Sequence, residues 1–222
     1  MPAVTPLRQP TLALAAVAIP LAVAIADDVR VRRALRIARR DPLTGLADRT
    51  ALTARADRLV RTRREDLHVL VADADGLKTV NDALGHAAGD ILIAAVGRRI
   101  GAWAAARSGI AVRLGGDEFA AAVMLPPTTT VREITALREL LAQPVSHGTD
   151  MLRPAVSIGA ARAADLPDAA DTSRLLRAAD MAMYRVKTGQ QACGYTATRQ
   201  DAYTPAVHGR RPGRPGTHLP IG

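Results

Sequence analysis

The chain has 222 residues, and its 48% hydrophobic and 23% charged residues exclude a wholly disordered protein. It has one cysteine, Cys193, which excludes an intramolecular disulfide. The net charge of +9 lies at the ends: residues 1–40 carry +5, residues 190–222 carry +3, and the residues between carry only +1. Because aromatic residues are 2% of the chain, the central region has neither the charge nor the base-stacking surface that favours nucleic-acid binding.

An uncharged stretch of eighteen residues, 9–26, opens the chain, and Pro20 interrupts it. Its length is just short of a bilayer's hydrocarbon core, so it fits a membrane span, a buried or interfacial helix, or a cleaved signal peptide. Six arginines follow it, against Arg8 before it. The positive-inside bias then favours a single-pass anchor in residues 1–26, with the rest of the chain in the cytoplasm.

Residues 27–40 continue as a predicted basic linker helix, and residues 41–195 form the predicted folded domain. Within it we expect a turn at 41–49, a helix to about 64 and a buried strand at 67–73. Residues 75–90 are expected to be a loop with a short helical piece, followed by a helix over 90–107 and a hairpin over 110–125. A helix over 131–142, a strand over 154–161 and a helix over 172–187 complete the domain. Residues 196–222, rich in Pro, Gly and Arg, are predicted to be a disordered tail.

The hairpin carries two adjacent acids at its tip. In VRLGGDEFAAAV (112–123), the two glycines favour a tight turn, whereas Asp117 and Glu118 repel each other unless a cation or proton lies between them. Asp73 ends a buried strand, where a carboxylate is costly unless it is paired or bound to metal. If the two strands are neighbours, the three acids form a hard-oxygen site suited to Mg²⁺ or Mn²⁺. The alternative is that Asp117 and Glu118 are merely solvated turn residues.

The lysines are the second chemical signal. Only two of the thirty basic residues are lysine, Lys78 and Lys187, and all the others are arginine. A compact ammonium has properties that a guanidinium lacks. If these two lysines were present only by chance, they would not be expected to lie in the same site.

Several motifs together resemble the GGDEF family of diguanylate cyclases. RLGGDEF (113–119) resembles its signature, and the other landmarks follow in the family's order: DPLTGLADR (41–49), DADGLKTVNDALGHAAGD (73–90), VSIGAA (156–161) and ADMAMY (179–184). The resemblance covers about residues 41–189. It implies an α+β fold similar to the palm of nucleotidyl cyclases and polymerases, with a mixed, mostly antiparallel sheet flanked by helices. Here a hydrophobic N-terminal helix would precede that fold.

The resemblance also implies an activity: the condensation of two GTP molecules into cyclic di-GMP, with magnesium, between two facing domains of a homodimer. It assigns the site residues as follows: Asp117 and Glu118 catalytic; Asp73, Asp117 and the Ala74 carbonyl to the metal; Asn81 and Asp90 to guanine; and Lys78, Lys187, Gly115 and Gly116 to the phosphates.

Four positions depart from the family's pattern, and the first is Asp48, where the family commonly has an asparagine in a structural segment. After Lys187 the sequence KTGQQA is one residue short and has Gln190 where the family has an arginine near the phosphates. Ala106 and Gly109 replace the arginine and aspartate of the family's inhibitory product site, so we expect no feedback there. The main alternative is therefore a membrane-bound GTP-binding or scaffold module that is catalytically weak. Nucleic-acid binding through the basic tail is a third.

Overall fold

The computed structural model describes residues 21–25, 27, 28, 30, 40–167 and 171–201. The chain divides into two units, residues 1–40 and 41–222. In the first, residues 21–25 are helical and exposed, and most of the predicted anchor and basic linker lies outside the described residues. Where the structure describes the chain, no helix is long and apolar enough to cross a membrane.

A four-stranded antiparallel sheet forms the centre of the second unit. Its strands stand in the order β2-β3-β1-β6, and a separate hairpin is formed by β4 and β5. Among the described residues, parallel pairing is limited to two isolated bridges, Ala47 with Val112 and Ala160 with Thr196. The strands are β1 (Leu67–Asp75), β2 (Ile110–Gly115), β3 (Glu118–Met124), β4 (Val145–His147), β5 (Asp150–Leu152) and β6 (Ala155–Arg162).

Helices cover both faces of the sheet, because the strands carry apolar side chains on each side. One face packs against α3 and α4, and the other packs against α1 and α5. The helices are α1 (Arg49–Thr62), α2 (Leu77–Leu84), α3 (His86–Ala105), α4 (Thr130–Leu141) and α5 (Thr172–Lys187). This is the predicted palm-like α+β arrangement.

The central strand β1 explains where the functional residues lie. Its first eight residues are all buried, and alternate side chains point to opposite faces. Leu70 and Ala72 join the core under α3 and α4, whereas Val69 and Val71 join the core under α1 and α5. Asp73 and Asp75 continue the second set and therefore point toward α5.

The prediction for residues 75–90 was wrong because it gave this segment too little helix. Instead of a loop, this segment holds α2 and the start of α3, which begins at His86 rather than Asp90. Gly76 and Gly85 flank α2 with φ values of 74° and 82°, a conformation that favours glycine. The apolar residues of α2 are spaced as in a helix, but the helix has only eight residues and none of them is fully buried. The β4–β5 hairpin was not predicted either.

The predicted disordered tail starts inside an ordered segment. The Ala197 amide donates to the Ala160 carbonyl (2.7 Å), which places residues 196–197 on the edge of β6. Asp201 is fully buried and accepts hydrogen bonds from the Thr198 amide (2.7 Å) and hydroxyl (3.0 Å). Residues 202–222 lie outside the described residues.

His68 makes folding stability depend on pH. It is fully buried, with Nδ1 3.0 Å from the Asp66 carbonyl and Nε2 3.0 Å from the Thr130 hydroxyl. Burial lowers the pKa of His68 below its ordinary value of 6.5, and Arg162 adds to this while Asp66 and Asp165 oppose it. As the pH falls, His68 is therefore protonated in the unfolded chain before it is protonated in the folded chain. The free energy of unfolding is highest above about pH 6.5 and decreases as the pH drops below it.

We expect the free energy of unfolding to fall by about 1 kcal/mol more in the wild type than in His68→Gln between pH 7.5 and 5.5. Urea denaturation of both proteins at the two pH values measures this difference. The remaining ionisable groups are the same in the two proteins, so their contributions cancel in the difference. Identical losses would show that the pKa of His68 is the same in the folded and the unfolded chain.

Candidate active site

The turn between β2 and β3 and the end of β1 bring the predicted acids together. Asp73 lies directly opposite Glu118 in the β1–β3 register, so their side chains share one face of the sheet. The Ala74 amide donates to the Asp117 carbonyl (3.0 Å), which ties the turn to β1. Asp73 is fully buried and Glu118 is only 8% exposed. The solvated-turn interpretation is therefore not supported for Glu118.

Asp117 experiences unfavourable electrostatics in its charged form. Burial raises the pKa of its carboxyl, and the negative charges of Asp73 and Glu118 raise it further, while Lys187 opposes the shift. The ionised carboxylate is thus less stable here than in water. A cation or a transferred proton at this position would relieve the repulsion.

The two glycines of the signature turn are required by backbone conformation. Gly115 and Gly116 have φ values of 149° and 53°. Both are exposed, and a Cβ atom at either position would meet nothing within 4 Å. Arg113 fixes the turn by donating to the Gly116 carbonyl from Nε (2.9 Å) and Nη2 (2.7 Å). The turn therefore has space in front of its backbone.

Arg113 also links this turn to the N-terminal turn of the domain. Its Nη1 lies 3.1 Å from Asp41 Oδ2, and Asp41 Oδ1 accepts from the Thr44 amide (2.8 Å) and hydroxyl (2.7 Å). Although burial opposes the shift, these hydrogen bonds and the Arg113 charge hold the pKa of Asp41 below its usual value. Asp48 caps α1 by accepting from the Ala51 amide (2.8 Å), so the family's asparagine is replaced without loss of the cap.

The donor set fits a hard divalent cation in part. Asp73, Asp117 and the neighbouring backbone supply oxygen ligands only, as Mg²⁺ or Mn²⁺ prefers. Over the ranges that the structure describes, however, no three His, Cys, Asp or Glu side chains are grouped closely enough to hold a metal by themselves. A cation here would need ligands from a bound phosphate or water.

The two predicted phosphate lysines have different surroundings. Lys187, the last residue of α5, places its ammonium against Asp73 Oδ1 and 2.9 Å from Asp75 Oδ1. Burial alone would lower the pKa of Lys187, but its bonds to the two aspartates raise it above the ordinary value. Lys78 lies in the first turn of α2 and is exposed. Only Lys187 is thus in contact with the acids.

Sequence reasoning missed Asp75 and Ser157. The Ser157 hydroxyl donates to Asp75 Oδ2 (2.7 Å), while Asp75 Oδ1 faces Lys187. A signal for Asp75 was present, because residues two apart on a strand share a face, and Asp73 and Asp75 are so spaced. Ser157 had no such signal, since it lies opposite Asp73 only through the β1–β6 register.

The two predicted guanine ligands are neighbours across the junction of α2 and α3. A Cβ atom on Gly89 would lie 2.0 Å from Asn81 Oδ1, so the Asn81 amide rests directly on the glycine, and Asp90 is the next residue. Asn81 Oδ1 is buried and has no hydrogen-bond partner within the described part of the chain. An unsatisfied acceptor of this kind is costly unless a ligand binds it.

The departures from the family's pattern lie at exposed or tightly packed positions. Gln190 is exposed and follows the end of α5. The nearby guanidinium of Arg185 pairs with the buried Asp201 (2.8 Å), so it does not replace the missing arginine. A Cβ atom on Gly109 would lie 2.3 Å from the Ala122 carbonyl of β3, so the aspartate of the family's product site cannot fit without a backbone shift.

Comparisons with known proteins agree with this geometry. Residues 38–193 match the family model described as diguanylate cyclase, GGDEF domain. The chain is 43% identical over 155 residues to an uncharacterised 19.3 kDa protein of Streptomyces ambofaciens, covering 70% of this chain and 81% of that protein. It is 30% identical over 196 residues to the diguanylate cyclase DgcP of Escherichia coli, covering 83% of this chain but only 54% of DgcP.

A solved structure has the same fold. The coiled coil and GGDEF domain of DgcB from Caulobacter crescentus, in complex with c-di-GMP, is 27% identical to this chain. Its TM-score is 0.63, and the match covers 82% of this chain and 98% of the DgcB chain. The matched residues 38–193 include the acids of the hairpin and all the motifs named above. The chain therefore belongs to the GGDEF family of diguanylate cyclases.

Proposed function

We propose that this protein condenses two molecules of GTP into cyclic di-GMP. The observation that carries the proposal is the convergence of Asp73, Asp117 and Glu118 at the end of β1, tied together by the hydrogen bond from the Ala74 amide to the Asp117 carbonyl. The matched family model and the relationship to DgcP support the same activity.

In this reaction each ribose 3′-oxygen attacks the α-phosphorus of the other GTP. Two phosphodiester bonds form, two bonds to the β-phosphate break, and two pyrophosphates leave. Asp117 would accept the 3′-hydroxyl proton, with buried Glu118 beside it. Burial and the charge of Asp73 raise the pKa of Asp117 in the absence of a cation, and a bound cation would oppose that shift.

A divalent cation, Mg²⁺ or Mn²⁺, held by Asp73, Asp117 and the Ala74 carbonyl would neutralise the triphosphate and polarise the phosphorus under attack. Lys187 and Lys78 would add positive charge for the phosphates. The open space in front of Gly115 and Gly116 would let backbone amides approach the same groups.

Guanine would be read at the α2–α3 junction. The unsatisfied Asn81 Oδ1 would accept a guanine N–H, and the exposed carboxylate of Asp90 would accept another. Adenine cannot donate both hydrogen bonds, so ATP would leave a buried acceptor unpaired and should be rejected.

Catalysis requires two domains because each domain holds one GTP. A homodimer would place the two substrates face to face, and their alignment would supply a large part of the rate. We expect the specific activity to rise with protein concentration until the dimer is formed.

The test is to incubate the purified full-length chain with GTP and Mg²⁺ and to separate the products by chromatography. We expect cyclic di-GMP and pyrophosphate from GTP, and no cyclic product from ATP. If the protein bound GTP but formed no product at any concentration, the GTP-binding module would replace the cyclase. The altered segment at Gln190 would then be the first region to examine.

The packing of Asn81 on Gly89 predicts a change in GTP affinity without a loss of stability. In Gly89→Ala the new methyl group would displace the end of the Asn81 side chain, which is flexible and cheap to move. We expect the Kd for GTP to rise about tenfold, a loss near 1.4 kcal/mol. The melting temperature should stay equal or rise, because alanine favours helix over glycine.

Calorimetric titration with GTP and thermal unfolding measure the two quantities. Gly101→Ala, on the same helix, is the matched control, because its Cβ would meet only the end of the Leu46 side chain. It should leave GTP affinity unchanged. Equal GTP affinities for Gly89→Ala and Gly101→Ala would remove Asn81 from the guanine site.

We also propose that residues 9–26 anchor the chain in the cell membrane as a single pass, with the enzymatic domain in the cytoplasm. The uncharged stretch and the six arginines after it support this. Carbonate washing of membranes from expressing cells should leave the intact protein in the pellet. Release of intact protein into the supernatant would contradict the anchor.

A further inference from the structure

Four side chains form one continuous chain of contacts on the α5 face of the sheet. Ser157 donates to Asp75 Oδ2 (2.7 Å), Asp75 Oδ1 lies 2.9 Å from the Lys187 ammonium, and the same ammonium contacts Asp73 Oδ1. Asp73 and Asp75 lie on β1, Ser157 on β6 and Lys187 at the end of α5. The ammonium thus bridges a predicted metal ligand and a carboxylate that no motif had assigned.

The two carboxylates differ in their surroundings. The Asp73 side chain is 0% exposed and that of Asp75 is 27% exposed. A fully buried carboxylate requires a nearby positive charge, and Lys187 supplies one to Asp73. Asp75 has a second partner in Ser157, and its position remains defined when the ammonium moves. Asp75 can therefore hold Lys187 whether or not Asp73 does.

A metal bound by Asp73 would have to share that carboxylate with the ammonium. Two cations on one small anion repel each other, especially where burial reduces screening by water. The binding of one is therefore expected to weaken the binding of the other. This coupling is reciprocal, as it is for any two ligands of one site.

We propose that Lys187 and the divalent cation compete for Asp73, and that Asp75, held by Ser157, retains the displaced ammonium beside the site. This inference rests on the metal site of the proposed function. Lys187 is then the resident counter-ion of Asp73 when nucleotide is absent. A bound triphosphate supplies both new ligands for the metal and a new partner for the ammonium. Metal and GTP would for this reason bind cooperatively.

The test measures Mn²⁺ binding to the full-length protein without nucleotide, from the electron paramagnetic resonance signal of free Mn²⁺. We expect Lys187→Met to bind Mn²⁺ about tenfold more tightly than the wild type. Lys187→Arg keeps the positive charge and should bind as weakly as the wild type. Arg177→Met removes one charge from an exposed position of the same helix and should also match the wild type.

Two further variants separate the roles of the aspartates. Asp73→Asn combined with Lys187→Met should abolish the gain, because Asp73 is the shared ligand. Asp75→Asn alone should bind Mn²⁺ more weakly than the wild type, since the ammonium is left with Asp73 only. Combined with Lys187→Met, it should retain most of the gain.

Equal Mn²⁺ affinities for the wild type and Lys187→Met would overturn the competition. Loss of the gain in Asp75→Asn with Lys187→Met would show that Asp75 is itself a metal ligand and would overturn its role as the holder of Lys187. Thermal unfolding of each variant verifies that it is folded. Because the Mn²⁺ titration contains no nucleotide, a negative result would not contradict the cyclase proposal. If the protein formed no cyclic di-GMP, the competition between Lys187 and Mn²⁺ could still be measured in the same way.

Discussion

Asp117→Asn is expected to lower the rate of cyclic di-GMP formation by about a thousandfold while leaving the protein at least as stable as the wild type. The loss follows from removing the base that takes the 3′-hydroxyl proton, a contribution of about 10² to 10⁴ in rate, together with a metal ligand. The stability follows from the raised pKa of Asp117. Such a carboxyl contributes stability when protonated and loses it as the pH rises through its folded pKa, so at pH 7 the charge opposes folding.

Asp41→Asn makes the same change of charge and serves as the matched control. The pKa of Asp41 is lowered, so its charge favours folding, and asparagine would weaken the contacts with Thr44 and Arg113. We expect Asp41→Asn to lower the melting temperature and Asp117→Asn to keep or raise it at pH 7. Product chromatography and thermal unfolding measure the two effects. A fully active Asp117→Asn protein would exclude Asp117 from catalysis.

Gly159→Ala is expected to cause the largest loss of stability, about 3 kcal/mol or more. A Cβ atom at this position would lie 2.0 Å from the Met183 amide nitrogen and 2.4 Å from the Ala179 carbonyl oxygen, both in the backbone of α5. The helix can make room only by moving away from β6. That movement would also draw Lys187, at the end of α5, away from Asp73.

The matched control is Gly148→Ala in the turn of the β4–β5 hairpin. There φ is 59° and a Cβ atom would meet nothing within 4 Å, so only backbone strain opposes the substitution, at about 1 kcal/mol. Urea unfolding of both variants compares steric clash with strain. If Gly159→Ala cost no more than Gly148→Ala, the close approach of α5 to β6 would not be essential to the fold.

Two segments differ from their predicted structure, each for its own reason. Helix α2 has only eight residues between two glycines, so its apolar pattern, although helical in spacing, was too short to distinguish it from a loop. The segment after residue 195 resembles a disordered tail in composition. It is nevertheless held by the edge of β6 and by the buried ion pair of Asp201 with Arg185. In this second segment tertiary contacts outweighed the local composition.

Sequence patterns were enough to predict the family, the order of the main strands and helices, and the hairpin that carries Asp117 and Glu118. These follow from local periodicity, from glycines that permit the tight turn, and from motifs whose residues are close together in the chain. Asp73 was predicted for the same reason, because a carboxylate at the end of a buried strand is visible in the sequence.

The partner of each charged group could be identified only from the folded chain. Lys187 is 114 residues from Asp73 in the chain, and Arg113 is 72 residues from Asp41. Such pairs depend on strand register and on how closely α5 approaches β6 at Gly159. No local pattern specifies these distances, because they result from the packing of both faces of the sheet.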